Sequence, residues 1–378
     1  MRDDTTTEPT RRDAIKYGGT AAAGLGLAGC SNLVEQEGTE TDGGGTYSVA
    51  MEPVGTVDFE AVPERVAPFT ADYIDMLVAL GHGDAAETVW YKNRYKTGHY
   101  DELPGVSIDT DSLRPLWSDG ISKEQFYEID ADLHLIDPNS LQHWMDDWSD
   151  ADVDEIRTSV APFFGNLLFR RTDDWHDYRY YTLYEAFEKV AAVFRERDRY
   201  EAIRSVHDDL VTDVQSRLPG ASERPEAALM FAPPELDDFV PYRVAGAGAN
   251  KEHFHTLGIT DAFTGTDVEG YSGSQSVDYE TLLDIDPDVL LLRSHGDTTR
   301  AEFESTTVAD LEAHPLGSRL TAVREGEVYR GGPIYSGPLH NLFMLERYAK
   351  ALYPDEFTEA ELFDRQRVAD VITGDADR

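Results

Sequence analysis

Aromatic and arginine side chains gather in this chain just beyond short apolar runs. Trp90-Tyr91-Lys92-Asn93-Arg94-Tyr95 follows one such run, Trp117 precedes another, and Asp137-Pro138 and His143-Trp144 come after it. Arg170-Arg171 leads into Trp175-His176-Asp177-Tyr178. Later, Tyr242-Arg243 runs into a Gly-rich turn, Gly246 to Asn250, followed by Arg293-Ser294-His295, Tyr335 and His340. Flat rings pack on planar or bulky ligand faces, and guanidinium groups pair with anionic oxygens. That chemistry is recognition rather than bond-making. The candidate binding set is therefore Trp90, Tyr91, Trp117, Arg171, Trp175, Tyr242, Arg243, Arg293, Tyr335 and His340. Arg243 and Arg293 carry the stronger case, because each follows an apolar strand or loop instead of lying on a solvated helix face. Some of the aromatics are expected to be ordinary core packing.

Motifs for other chemistries are missing. Gly270-Tyr271-Ser272-Gly273-Ser274 ends in Ser where a nucleophile elbow needs Gly, and no His-Glu-x-x-His helix occurs. His253 and His255 sit two apart on a predicted helix and so point to different faces, which argues against a shared metal. The Gly246 to Asn250 turn has no Walker lysine. It is expected to let backbone approach a ligand and to offer helix N-terminal N–H groups to an anion. Cys30 is the single cysteine, so the remaining chain contains neither a disulfide nor a cysteine-ligated metal site.

The chain carries 33 basic and 73 acidic residues, a formal charge of −40, and seven of the basic residues are lysines. The acids are spread along the whole length, and the apolar fraction is ordinary. An acid-rich, lysine-poor surface of this kind fits adaptation to molar salt, where the Debye length falls to about 3 Å and self-repulsion is screened. Nucleic-acid binding is excluded on the same ground, since phosphate recognition needs a basic footprint.

These residues must be positioned by a scaffold, and short apolar runs alternating with helical patterns predict an α/β fold with a largely parallel sheet. Strands are expected at Val66 to Phe69, Leu133 to Ile136, Ala227 to Phe231 and Val289 to Leu292. A helix is expected from Ala71 to Leu80, capped by Thr70 and stopped by Gly81; another ends at Leu257, stopped by Gly258. The segment Glu124 to Asp137 matches Glu280 to Arg293 without a gap, 156 residues later, and each copy reads as helix, tight turn and buried strand. Ala79-Leu80-Gly81 and Thr256-Leu257-Gly258 precede the copies in the same order. Two similar Rossmann-like lobes follow from this. Between them, residues 180–218 carry apolar spacings of three and four. Arg195 to Arg199 divides that stretch into two helices, the second about 30 Å long at 1.5 Å per residue. The resulting division is a leader at 1–29, a tether at 30–46, lobes at 47–180 and 220–357, an interlobe helical segment at 181–219, and a C-terminal helix with an acidic tail at 358–378.

The N-terminus resembles a twin-arginine export signal joined to a lipoprotein lipobox. Arg11-Arg12 is followed by a Gly/Ala/Leu-rich stretch and then by Leu27-Ala28-Gly29-Cys30. That resemblance implies cleavage before Cys30, a lipid on its sulfur, and a location on the extracellular face of the membrane. Residues 31–46 are polar, acidic and Gly-rich, and give a reach of up to about 50 Å.

The whole resembles the substrate-binding lipoproteins of ABC importers for ferric siderophores, haem and cobalamin, in a haloarchaeal form. The resemblance rests on Pro63-Glu64-Arg65-Val66 with Leu77 to Asp84, the two repeat copies, Ala322 to Tyr329, and Leu345 to Phe357, and it covers about residues 62–357. It implies a ligand cleft between two lobes joined by a single long helix, and no catalysis. The ligand would be a ferric siderophore, haem or cobalamin, with no resident cofactor. The partners would be a permease and, through it, an ATPase, and the binding protein would be a monomer. It also implies that Glu124 and Glu280, one on each lobe, dock into arginine pockets of the permease. Trp90 or Tyr91, Trp117, Tyr242 and Tyr335 fall where family members place aromatic contacts. An exported enzyme or a surface sensor on the same scaffold is the alternative reading.

Overall fold

The computed structural model describes residues 45–374 apart from 118, 271–275 and 296–297. The readings at Arg11, Arg12 and Cys30, nearly all of the tether and the last residues of the tail lie outside the described residues.

The first lobe opens with an antiparallel hairpin, β1 (Tyr47–Met51) and β2 (Gly55–Phe59), whose alternation buries Val49, Met51, Val57 and Phe59. A parallel set follows: β3 (Val66–Pro68), α1 (Ala71–Ala79), β4 (Thr88–Val89), β5 (Arg114–Pro115), α2 (Lys123–Ile129), β6 (Leu133–Leu135), α3 (Pro138–Trp144) and α4 (Asp150–Ser159). β3 pairs β6 and β4 pairs β5, and single bridges at Val66–Ala86 and His134–Phe163 extend the sheet. The helix after β3 ends one residue before the expected Leu80. Thr70 takes its N-cap position through backbone geometry, without a side-chain capping bond.

Two helices then leave the lobe, α5 (Leu183–Phe194) and α6 (Arg197–Arg217), broken at Arg195 in the left-handed conformation (φ 58°). The second lobe contains β7 (Glu226–Phe231), β8 (Val240–Pro241), α7 (Glu252–Thr256), β9 (Thr260–Asp261), α8 (Tyr279–Ile285) and β10 (Val289–Arg293). After these, α9 (Arg300–Phe303) continues through a π-turn into α10 (Ala309–Ala313), and α11 (Thr321–Glu325), β11 (Val328–Arg330), α12 (Pro338–Leu352) and α13 (Arg365–Thr373) complete the chain. The strand order is β11-β10-β7, with β8 antiparallel and β9 parallel on the far side of β7.

The repeat is real in three dimensions. Each copy is a seven-residue helix closed by a left-handed aspartate, Asp130 (φ 52°) or Asp286 (φ 46°), and followed by a buried strand. The earlier pair also matches: Gly81 and Gly258 both end their helices at positive φ, and each faces an arginine from one end of the α6 region, Arg199 or Arg224. Each lobe has its own apolar cluster. A third and larger cluster gathers the hairpin, α1, α5, α6 and α12 with one face of the β7–β10 sheet. α12 is thus a second interlobe element beside the expected bridging helix, since it packs on α1 of the first lobe and on α7 of the second.

Candidate functional site

The ends of the first-lobe strands set aromatic rings side by side, because the hydrogen-bond ladder runs past the strands themselves. Trp90 N–H donates to Phe69 O (2.7 Å) and Trp117 N–H donates to Trp90 O (3.3 Å). Phe69 stacks on Trp90 (4.5 Å, 21°), and Trp90 stacks on Trp144 from α3 (5.4 Å, 10°). Tyr91 and Trp117 lie 5.7 Å apart, and Trp175 stacks on His143 at 4.9 Å. Two cations cover these faces. The Arg94 guanidinium sits 3.9 Å from the Tyr91 ring centre; that of Arg170 sits 4.9 Å from Trp144 and holds Asp173 through two 2.9 Å bonds. Trp90 Nε1 is buried with no hydrogen-bond partner among the described residues.

The second lobe meets this wall at Tyr335. Its ring lies edge-on to Phe169 (4.9 Å) and 6.2 Å from Trp90, and its hydroxyl accepts from Arg94 Nη1 at 3.4 Å. Lys96 Nζ donates to His295 O at 3.3 Å. The Gly-rich turn closes against the same seam. A Cβ at Gly248 (φ 146°) would lie 2.3 Å from Phe169 O, so only glycine fits there. The expectation that this turn offers N–H groups to an anion is corrected in part: Ala249 N–H donates to Leu168 O (2.9 Å), and what the missing Cβ admits is the other lobe's backbone.

The candidate residues divide into two groups. Trp90, Tyr91, Trp117, Trp175 and Tyr335 stand on the facing walls. Arg171, Arg243 and Arg293 instead serve protein groups. Arg171 donates to Tyr178 O, and Arg243 Nε is held by both oxygens of the buried Asp261 (3.1 and 3.0 Å) with Nη1 on Val268 O. Arg293, 1% exposed, donates to Asn250 O (2.7 Å) and Gly331 O (2.9 Å). Burial pushes its pKa down to about 10. Tyr242 lies beneath that guanidinium, 5.5 Å away. His340 sits apart from the aromatic wall, stacked on His99 at 4.2 Å, where it borders a cavity of about 920 Å³ together with Arg330, Met344 and Arg347. Beside Arg293, the buried Lys251 has its pKa lowered to about 7 by burial and then by Arg293.

Phe69, Arg94, Trp144, Phe169 and Arg170 were not in the candidate set. Arg94 and Trp144 lay within runs already noted. Arg170 differs from Arg171 by one position, and neighbours on an extended segment face opposite sides, so sequence alone does not say which one turns to the rings. His253 is buried against Tyr348, whereas His255 faces Val244 O at 2.7 Å, two environments as their spacing required. Among the described residues no group of three or more His, Cys, Asp or Glu could hold a metal ion. No helix among them is long and apolar enough to cross a membrane. Glu124 and Glu280 are both exposed in the first turns of α2 and α8.

A family model described as periplasmic binding protein matches residues 66–335. No curated protein matches the chain. Among solved structures, the iron-uptake ABC-transporter substrate-binding protein PiuA from Streptococcus pneumoniae is similar over 82% of this chain and 100% of its own, with a TM-score of 0.59 and 17% identity. The petrobactin-binding protein YclQ from Bacillus subtilis matches over 82% and 99%, with a TM-score of 0.58 and 15% identity. A protein of an Fe3+-hydroxamate transport system from Saccharomonospora viridis matches over 81% and 99%, at 0.53 and 18%. At such identities the likeness is one of fold, two α/β lobes with a seam between them. Together with the family match over most of its length, it shows that this chain belongs to the periplasmic binding protein family, whose members are substrate-binding transport proteins rather than enzymes.

Proposed function

We propose that this protein is the extracellular substrate-binding component of an ABC importer and that it captures a ferric siderophore, with haem and cobalamin as the related ligand classes. The observation that carries the reading is the wall of Phe69, Trp90 and Trp144, faced with Arg94 and Arg170 and closed by Tyr335 from the other lobe. Rings of this kind pack on the flat organic shell of a metal complex, and guanidinium groups pair with its anionic oxygens. Similar folds whose names refer to iron, petrobactin and Fe3+-hydroxamate transport support the ligand class. Delivery to the permease would use Glu124 and Glu280, which occupy equivalent first-turn positions on the two lobes and orient a partner through charge-assisted pairs. A lipid on Cys30 would keep the monomeric receptor within reach of its channel, on a surface suited to molar salt.

Tryptophan fluorescence in molar salt tests the ligand directly. Titration with a ferric hydroxamate, a ferric catecholate, haem and cyanocobalamin should give one saturable quench, with Trp90→Phe reducing its amplitude. Silence from all four overturns the reading. In cells, reversing Glu124 and Glu280 to Arg should abolish uptake of the bound complex at unchanged affinity, and Cys30→Ser should release a ligand-competent protein; normal uptake by either variant removes that part of the proposal.

A further inference from the structure

Asp75 is an acid in the middle of a helix that is otherwise sealed in the core. All nine residues of α1 are buried, and Asp75 is 2% exposed. A carboxylate in such a place is costly unless its lone pairs are satisfied. Here four donors satisfy it, and they divide by segment. Oδ1 accepts from His99 Nε2 (3.0 Å) and from the Tyr100 hydroxyl (2.6 Å), both on the loop that leaves the first aromatic wall. Oδ2 accepts from the backbone N–H groups of Leu339 (2.8 Å) and His340 (3.1 Å), at the start of α12.

Those two N–H groups belong to the first turn of α12, where a helix has no internal acceptors and normally relies on its own N-cap side chain. The N-cap here is Gly337, which has no side chain. A Cβ at Gly337 would lie 2.4 Å from Asp75 Cβ and 2.7 Å from Asp72 O. The glycine thus admits α1 to the helix end, and a residue of the other lobe takes over the cap. On the loop side, Tyr100 is linked onward to the Tyr95 hydroxyl at 3.0 Å, and the His99 ring stacks on His340.

Both segments carry ligand-wall residues a few positions away. Arg94 lies five residues before His99 and Tyr335 four before Leu339, and the two meet at 3.4 Å. We propose that Asp75 is the positioning residue of the cleft: one carboxylate ties the Arg94–Tyr100 loop and the Tyr335–His340 turn together, and so fixes the separation of the two walls. The inference rests on the reading of the seam as the ligand site. Its physical claim, that Asp75 sets the interlobe geometry, stands independently of which ligand binds. Asp75→Asn is the sharpest change. It keeps the volume, but the amide has one acceptor oxygen, so one pair of donors loses its partner in either orientation.

The test uses the full chain on a Cys30→Ser background, with spin labels at Glu128→Cys and Glu312→Cys, exposed positions on the two lobes. In Asp75→Asn the interlobe distance distribution should broaden about twofold, and the affinity for whichever ferric probe binds the wild type should fall about tenfold or more. Leu210→Ala, a core change in α6, is the control that lowers stability without touching the tie. Gly337→Ala displaces the carboxylate without removing it and should broaden the distribution in the same way; it decides the matter if Asp75→Asn does not fold. An unchanged distribution in the folded variants, or equal broadening in Leu210→Ala, overturns the proposal. Broadening together with silence of all ferric probes on the wild type would uphold the tie and overturn the ligand reading.

Discussion

The two repeat copies share a backbone and differ in charge at one decisive position. Residues 124–137 and 280–293 each form a capped helix, a left-handed aspartate and a strand that ends at the seam. Ser122 and Gln125 cap the first helix reciprocally, whereas Asp278 caps the second by accepting from Thr281 N–H at 2.8 Å. At the last matched position the first copy has Asp137 and the second has Arg293. Asp137 accepts from Leu167 N–H (2.9 Å), Asn139 N–H (3.1 Å) and the Tyr178 hydroxyl (2.5 Å). Arg293 donates to two backbone carbonyls. Each strand end therefore meets the loops around it with the hydrogen-bonding group that their backbone requires: an acceptor where N–H groups arrive, a donor where C=O groups arrive. A duplicated scaffold diverges where its loops diverge, and the buried ionisable residue follows the loops.

Exchanging the two residues is the harshest way to break this comparison. Arg293→Asp would set a carboxylate against the carbonyls of Asn250 and Gly331, with no donor in return. Loss of about 4 kcal/mol or more is expected, enough to unfold the second lobe in denaturant titrations at molar salt. Asp137→Arg should fail for the mirror reason. The double exchange should not rescue either change, because the surrounding loops are not exchanged. A stable Arg293→Asp protein would show that the guanidinium ties nothing.

Asp137→Asn is a milder test with a signed pH dependence. Burial raises the Asp137 pKa to about 7, above the 3.8 of an unperturbed aspartate. The folded state therefore prefers the protonated acid. The contribution of Asp137 to stability should therefore fall as pH rises from about 4 to about 7, by as much as a few kcal/mol. The asparagine variant, which cannot ionise, should lack that contribution. Its stability relative to wild type should thus improve with rising pH; a parallel pair of curves would mean that the carboxyl is ionised at little cost.

The repeat, the four strands β3, β6, β7 and β10, and the two-helix bridge were legible because they depend on local periodicity and on helix stops such as Gly81 and Gly258, whereas the β1–β2 hairpin was not read from the sequence. Glu124 and Glu280 lie exposed in the first turns of the two repeat helices. The arginines were not legible. Arg243 and Arg293 follow apolar runs just as ligand-reaching arginines would, and their engagement with Asp261, Asn250 and Gly331 comes from segments that sequence proximity does not connect. Asp75 was equally hidden. On its own helix it looks like a misplaced acid, and its donors are 24 to 265 residues away. The role of α12 as a second bridge depends on that distant pairing too.

The smallest expected effect sharpens the comparison inside the strands. His134 aligns with Leu290, yet it is fully buried among Phe126 and Phe163, and neither ring nitrogen has a hydrogen-bond partner among the described residues. Burial lowers its pKa from 6.5 to about 3. The neutral ring is thus what the fold accepts, and protonation opposes folding. Above pH 6.5 the imidazole costs only its unsatisfied nitrogens; as pH falls from 6.5 toward 3 the unfolded state binds a proton that the folded state refuses, and stability drops with it. His134→Leu copies the second lobe's solution into the first. It should raise stability at neutral pH by about 1 to 2 kcal/mol through removal of unsatisfied polar atoms, and it should gain further as the solution is acidified. A loss at both pH values would show that the imidazole is needed at this position for its shape or for a bond to the neighbouring strand. The two copies would then differ in packing as well as in charge.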